Sequence, residues 1–372
     1  MTLTANPLRI LFLPVTSPRG SGEYARALSI ATEVMRRFPA ATCHFALSEE
    51  APYARDCPFP ATWLPSSPTF HTSRVVALIA EFHPTIVIFD NAGRTAQLKA
   101  ARKAGAKVIF VSSRQRQRRR AYRLRWLNLV DEHWIAYPEF IAGSPTLFEK
   151  IKVAIAGRRV ARHLDCLLPD AMIADSDGAD AGNSTLQKHV LVLTGGVADD
   201  RDFAAAPHVM AQAAARLAAD HVPVILVGTP AELIPSRVPE NLRILPRLSV
   251  TEMAAHIRAA QVVICNGGDT LIQVLALGRS CVAIAMAPDQ VIRLERCRQR
   301  GLDVRADIDA EQILQRARLL WQDPAIRDAQ IKQIKRLSIV NAMDQVMDSI
   351  ARLTTRAVGV PSSVKSVPEV AR

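Results

Sequence analysis

The seventeen residues from Val262 to Gly278, Val-Val-Ile-Cys-Asn-Gly-Gly-Asp-Thr-Leu-Ile-Gln-Val-Leu-Ala-Leu-Gly, carry the clearest chemistry in the chain. An apolar strand ends in Asn-Gly-Gly, and a helix with Asp269, Thr270 and Gln273 on its first turns begins there. Gly267 and Gly268 let the backbone approach a ligand closely. Helix N-terminal amides and the positive end of the helix dipole would face whatever lies above the strand. A diphosphate suits that arrangement; a tight turn with no ligand is the plain alternative.

Such a turn needs strands and helices in alternation to hold it. With 372 residues, the chain is long enough for two domains of ordinary size. Strands are expected at Arg9–Val15, Thr42–Leu47, Thr85–Asp90, Lys107–Ser112 and His133–Ala136. Helices are expected at Tyr24–Phe38, Arg74–Phe82 and Thr95–Gly105. The pattern restarts with strands at His189–Leu193, Val222–Val227, Leu242–Leu245 and Cys281–Ala285, and helices at Ala205–Ala218, Thr251–Ala259 and Gln290–Arg300. Short apolar strands without polar alternation imply parallel sheets covered on both faces. The expected division is a first domain 1–165, a linker 166–188 rich in turn residues, a second domain 189–338, a C-terminal helical segment 339–355 and a disordered tail 356–372. Ligands of such sheets bind outside the carboxyl ends of the strands. Three glycine turns occupy that position: Gly20-Ser21-Gly22, Gly195-Gly196 and Gly267-Gly268.

The net charge of +12 is concentrated in one half. Residues 1–165 hold 24 Lys and Arg against 12 Asp and Glu; the remainder holds 47 − 24 = 23 against 35 − 12 = 23 and is neutral. The excess peaks between Arg114 and Leu127. A solvated helix face is one reading of that run. A nucleic-acid surface is a weaker one, since aromatics make up 5% of the chain and no nucleic-acid module is recognisable. The mixture of Arg118, Arg119, Arg120 and Arg123 with Trp126 favours a third, an anionic membrane surface or polyanionic acceptor. No apolar stretch reaches the roughly 18 residues of a membrane span and no signal peptide is evident, so a cytoplasmic protein is expected, peripheral at most on the inner face of the plasma membrane. The six cysteines and nine histidines show no ligand spacing, and neither a disulfide framework, a metal site nor a cofactor is implied.

Taken together, the two-domain order, the three glycine turns and the block from 261 to 301 resemble the GT-B fold of sugar-nucleotide enzymes: two doubly wound Rossmann-like α/β domains facing across a cleft. The similarity is to glycosyltransferase family 28, which includes the peptidoglycan N-acetylglucosaminyltransferase, and to the related UDP-sugar hydrolase of pseudaminic acid biosynthesis. Gly20-Ser21-Gly22-Glu23-Tyr24-Ala25-Arg26 is similar to the hydrolase turn Gly-Ser-Gly-His-x-x-Arg, which puts Gly20, Ser21, Gly22 and Arg26 on the acceptor side and Glu23 where those families place histidine. Glu23 could be a general base or only a carboxylate favoured by the first helical turn. The resemblance implies that Gly195, Gly196, Gly267, Gly268, Asp269 and Thr270 lie against the donor diphosphate. It places Gln273 where a glutamate usually grips the ribose. A glutamine there keeps one acceptor and adds donors. Asp289 and Gln290 match the loop that meets the donor sugar, with a helix cap as the alternative for Asp289. Asp90, at the end of a first-domain strand, could bind acceptor or act as base; capping the next helix is equally open. In this fold the C-terminal helix returns to the first domain.

The implied reaction is a metal-independent inverting transfer from a nucleoside diphosphate sugar, expected to be a UDP-sugar, to a glycan or lipid-linked hydroxyl, with Glu23 or Asp90 removing the proton. Asp175-Ser176-Asp177 in the linker is read as a solvated loop rather than a metal motif. Hydrolysis of the UDP-sugar is the second reading, and the substituted histidine counts against it. A non-catalytic sugar-nucleotide-binding protein is the third, motivated by the departures at Glu23 and Gln273.

Overall fold

The computed structural model describes residues 7–18, 21–156, 161–168, 188–195, 201–234 and 237–355. Seven strands form the first sheet: β1 (Arg9–Pro14), β2 (Thr42–Ser48), β3 (Ala61–Leu64), β4 (Ile86–Asp90), β5 (Lys107–Ser112), β6 (Glu132–Ala136) and β7 (Arg162–Leu164). Six form the second: β8 (Val190–Leu193), β9 (Val224–Val227), β10 (Leu242–Leu245), β11 (Val262–Asn266), β12 (Cys281–Ile284) and β13 (Arg305–Ala306). Every pairing is parallel, in the orders β3-β2-β1-β4-β5-β6-β7 and β10-β9-β8-β11-β12-β13. Both sheets therefore reverse direction of growth beside their first strand, between β1 and β4 and between β8 and β11. These are the topological switch points at which doubly wound sheets open a crevice for ligand.

Burial on both faces follows from the strand sequences. Along β1, Ile10 and Phe12 enter one core and Leu11 and Leu13 the opposite one. Along β11, Val263 and Cys265 face one way and Val262 and Ile264 the other. The helix Met343–Thr355 packs on the first sheet: Met343, Val346, Met347, Ile350 and Leu353 recur at helical spacing and join the core that holds Ala27, Ile30 and Val34 of the helix Gly22–Arg37. Among the described residues no helix is long and apolar enough to cross a membrane.

The chain passes beside itself at Cys166 and Asn341. The two segments form a parallel bridge, with Cys166 N–H donating to Val340 and Ala342 N–H donating to Cys166. The Asn341 side chain accepts from Leu168 N–H at 3.0 Å and donates to Leu168 O at 2.8 Å. A two-strand strap of this kind fixes both crossings with the same few hydrogen bonds.

Beta-3, β7 and β13 were outside the sequence expectation. Each has two to four residues, too few for a period to declare itself, and the neighbouring strand supplies the pairing. The linker residues 169–187, with Asp175-Ser176-Asp177, and the tail 356–372 lie outside the described residues.

A charged clamp joins the first and last helices. Glu33, 1% exposed, accepts from Arg36 Nε at 3.0 Å and from Arg37 Nε at 2.5 Å, and Arg37 reaches on to Asp344 at 2.5 Å. Burial alone would raise the Glu33 carboxyl, but hydrogen bonds from Arg36 and Arg37 outweigh it and lower its pKa from 4.5 to about 2. A depressed carboxylate stabilises the fold above its unfolded pKa and loses that contribution as pH falls through its folded one. Urea titrations should therefore find Glu33→Gln less stable than wild type by about 1–3 kcal/mol at pH 7. The gap should close between pH 4.5 and about 2; a gap independent of pH would remove the clamp from the account.

Candidate active site between the two sheets

Four elements meet where the carboxyl ends of the sheets face each other. The chain leaving β1 turns into the helix Gly22–Arg37, whose first residue lies close to the second domain: a Cβ at Gly22 would lie 2.8 Å from Asp269 Oδ2 and displace that carboxylate. One turn on, Arg26 is 8% exposed and lies against Asp90 at the end of β4. Its Nε donates to Asp90 Oδ2 at 2.7 Å and its Nη2 to Asp90 Oδ1 at 3.0 Å, a two-pronged pair, while Nη1 donates across the cleft to Asp269 Oδ2 at 3.0 Å. Asp269 opens the helix Asp269–Ala276, and its other oxygen accepts from the hydroxyl of Tyr137.

Burial disfavours the Arg26 cation, yet Asp90 and Asp269 outweigh it and hold its pKa well above the ordinary arginine value. Burial also raises the Asp90 carboxyl to about 6, against the pull of Arg26. Burial pushes the Tyr137 phenol far above its usual range, so this hydroxyl stays protonated and serves as a donor. Tyr137 sits at φ 98°, a region that side-chain-bearing residues rarely enter and that is held only where surrounding contacts over-determine it. Those contacts are the Asp269 hydrogen bond and the Arg293 guanidinium, 4.1 Å from the ring centre.

Gly22, Arg26, Tyr137, Cys166, Asp269 and Gln273 line one crevice. Glu23, beside Gly22 and half-buried, accepts from Asn91 Nδ2 at 2.7 Å. Asn91 is itself oriented by Ser113, whose N–H donates to Asn91 Oδ1 at 2.9 Å. A carboxylate held by one amide and partly open to solvent retains acceptor capacity for a hydroxyl proton. A second contact spans the cleft, where the Arg247 guanidinium lies 5.2 Å from the centre of the Tyr53 ring.

Several expectations are corrected by this geometry. Asp90 is no candidate base, because it is 2% exposed and both its oxygens are engaged by Arg26. It does not cap the helix Thr95–Lys103 either, whose cap is Arg94. Arg26, expected on the acceptor side, lines the crevice and is the centre of the ion-pair network. The amides of Gly267 and Gly268 are already occupied, by Ile284 O at 2.8 Å and Asn266 Oδ1 at 2.8 Å. The two glycines are needed for packing: a Cβ at Gly267 would meet Gln290 and Leu294 at 3.2 Å, and at Gly268 Asn266 Oδ1 at 2.6 Å. Gly195 has φ +73° and the same neighbour, with Asn266 Nδ2 2.6 Å from its Cβ position. Backbone donors for an anion are instead those of the first helical turn, from Asp269 and Thr270 onward, which lack intrahelical partners.

Asp289 caps nothing, since its helix starts at Pro288 after Ala287; it pairs with Arg293 at 3.2 Å. Gln290 accepts from Met286 N–H at 2.9 Å, which leaves its amide nitrogen toward Gly268. Ser21 precedes the first helix without a side-chain cap. Gly20 and Gly196 lie outside the described residues. The basic run does not form the expected patch. Arg118 is 6% exposed and Trp126 2%; the indole donates to Thr95 Oγ1 at 3.0 Å and packs edge-on to Phe110. Arg120 is half-buried, and only Arg119 and Arg123 of the five are exposed.

Tyr137 and Arg293 escaped the sequence reading. Their signals were slight: an aromatic residue before Pro138 at a strand end, and an arginine four residues after Asp289, on the same helix face.

No protein-family profile matches the chain, and no curated protein matches it in sequence. By fold it is similar to the glycosyltransferase VinC in complex with dTDP, with 14% identity over 94% of this chain and 100% of that one and a TM-score of 0.63. The spinosyn rhamnosyltransferase SpnG gives 14%, 92%, 100% and 0.60. A UDP-N-acetylglucosamine 2-epimerase gives 14%, 97%, 100% and 0.52. At such identities the likeness concerns fold, and the chain has the GT-B arrangement of two Rossmann-like domains.

The network supports a double-mutant test. Arg26→Met leaves Asp90 buried without its partner and should cost about 3–5 kcal/mol in urea unfolding. Adding Asp90→Asn should restore about 1–2 kcal/mol. Strict additivity would mean that the two side chains are not coupled.

Proposed function

We propose that this protein transfers a sugar from a nucleoside diphosphate donor, of the UDP-sugar class, to a glycan or lipid-linked hydroxyl, with the inverting, metal-independent chemistry of the family 28 glycosyltransferases. The observation that carries the reading is the meeting of the two switch points, where Gly22 and Arg26 face Asp269 and Gln273 across one crevice, with Glu23 next in sequence to Gly22 and held by Asn91. Among solved structures of this fold, that of the glycosyltransferase VinC holds dTDP.

In this reading the donor diphosphate lies above the amides of Asp269, Thr270 and Leu271, where the helix dipole favours negative charge. Gln273 meets the ribose, and the free amide of Gln290 with Asp289 meets the sugar. Glu23, steered by Asn91, takes the proton from the acceptor hydroxyl as its oxygen attacks the anomeric carbon and the nucleoside diphosphate departs. Arg26 and Tyr137 hold Asp269, so that the carboxylate nearest the diphosphate is neutralised by a cation in the same network. A second reading, an enzyme acting on the donor alone by hydrolysis or epimerisation, draws support from the likeness to the 2-epimerase at comparable coverage.

Thermal stabilisation by UDP, dTDP, GDP and ADP tests the donor site, since a ligand of the folded state alone must raise apparent stability. A selective rise is expected with UDP, and the absence of any rise would overturn the proposal. Asp269→Asn keeps the acceptor for Tyr137 but removes a negative charge from the diphosphate position, so UDP should bind about five- to tenfold tighter; weaker binding would put the diphosphate elsewhere. Glu23→Gln should bind UDP as wild type does while turnover falls about 10²- to 10⁴-fold. Sugar release without added acceptor would favour the second reading.

A further inference from the structure

The helix Leu147–Ile155 carries its apolar face outward. At roughly 100° per residue, Glu149 and Val153 fall together on one side, and both are buried. Leu147, Phe148, Ile151 and Ile155 fall within an arc of about 100° on the other side, where they are 72%, 76%, 44% and 78% exposed. Lys150 and Lys152 stand at the two margins of that arc. The neighbouring turn Leu124–Leu127 extends the surface: Tyr122 and Leu127 pack on Val153, leaving Leu124 64% exposed between exposed Arg123 and Arg125. Apart from buried Glu149, every charged side chain of these two helices is basic.

The surface is built, not incidental. Arg118 donates to the carbonyl oxygens of Ala142 at 2.9 Å, Gly143 at 2.6 Å and Ser144 at 2.8 Å, which pins the segment leading into the helix. Thr146 and Glu149 close its first turn with a reciprocal capping box. Helices of globular proteins turn such a stripe toward the core, and a contiguous exposed apolar patch marks a site of association. A second copy is a poor occupant, since a two-fold interface would bring the same basic margins face to face.

We propose that this face seats the protein on an anionic lipid bilayer, the Leu147–Phe148–Ile151–Ile155 stripe entering the headgroup boundary and the flanking lysines and arginines meeting lipid phosphates. The proposal does not depend on the sugar-transfer reading. The contact surface is thereby moved from the arginine run, whose Arg118 and Trp126 are buried, to the helix that Arg118 supports.

The test is co-sedimentation of the full chain with vesicles of phosphatidylcholine alone and with roughly one third phosphatidylglycerol. Binding to the anionic vesicles should exceed that to the neutral ones by about tenfold or more at low salt, and fall as salt rises. Phe148→Ser with Ile155→Ser removes only exposed side chains. It should leave the thermal midpoint in place and weaken binding about tenfold or more. Lys150→Glu with Lys152→Glu keeps the stripe and should abolish the preference for anionic lipid. Absent binding, equal binding to both vesicles or wild-type binding by the serine variant would overturn the proposal. So would a concentration-dependent dimer in sedimentation velocity that the serine variant dissolves, since the stripe would then be a self-interface.

Discussion

A guanidinium taken out of water needs acceptors for its donors, and opposite charge serves it best; Arg26 has two carboxylates, Asp90 from the first sheet and Asp269 from the second. The remaining geometry of the cleft follows from that requirement. Asp90 must end β4 with both oxygens turned toward the helix Gly22–Arg37. A side chain at Gly22 would push the Asp269 carboxylate from its place beside that helix. Tyr137 must accept an unfavourable backbone angle to complete the second carboxylate. The network couples the two halves through charge at one end of the cleft, while backbone and Asn341 side-chain hydrogen bonds tie together the two crossing segments at Cys166 and Asn341.

A consequence concerns how the halves can separate. Opening the cleft would break the Arg26 to Asp269 contact but leave the two-pronged pair with Asp90 intact, because that pair lies within the first sheet's own elements. Asp269 is the more exposed partner, its side chain 30% accessible against 3% for Asp90. The cost of parting from Arg26 is therefore moderated by water on the Asp269 side. The asymmetric burial makes Asp269 the releasable member and Asp90 the permanent one. That division suits a site in which a second anion must at times occupy the neighbourhood of the same helix terminus.

The alternation of strands and helices was legible because each core strand is apolar on both faces and each major helix shows the 3.6 period; Ile86–Asp90 and Val262–Asn266 are clear instances. The glycine turns were legible as turns, but not the reason for them. A sequence shows that Gly267 and Gly268 permit a close approach, not that Gln290, Leu294 and Asn266 are the atoms that approach. Asp90 looked catalytic because a carboxylate at a strand end has the right position; its guanidinium partner lies 64 residues away. The basic run misled for a related reason. Charge counts cannot tell an arginine that meets solvent from one like Arg118, whose two terminal nitrogens donate to three successive carbonyl groups.

The same distinction explains where the excess charge of the first half goes. Arg26 and Arg118 work inside the protein, each fixing segments distant in sequence, and contribute little to the field outside. Arg119, Arg123, Arg125 and Lys150 remain exposed and lie on or beside the helices whose apolar residues also face water. A helix of average composition could have turned Leu147, Ile151 and Ile155 inward by a rotation of about half a turn. Here the capping box, the Arg118 contacts and the burial of Val153 fix the opposite orientation. Three separate local interactions thus maintain an arrangement that costs apolar exposure, a cost that a partner surface covering the stripe would offset.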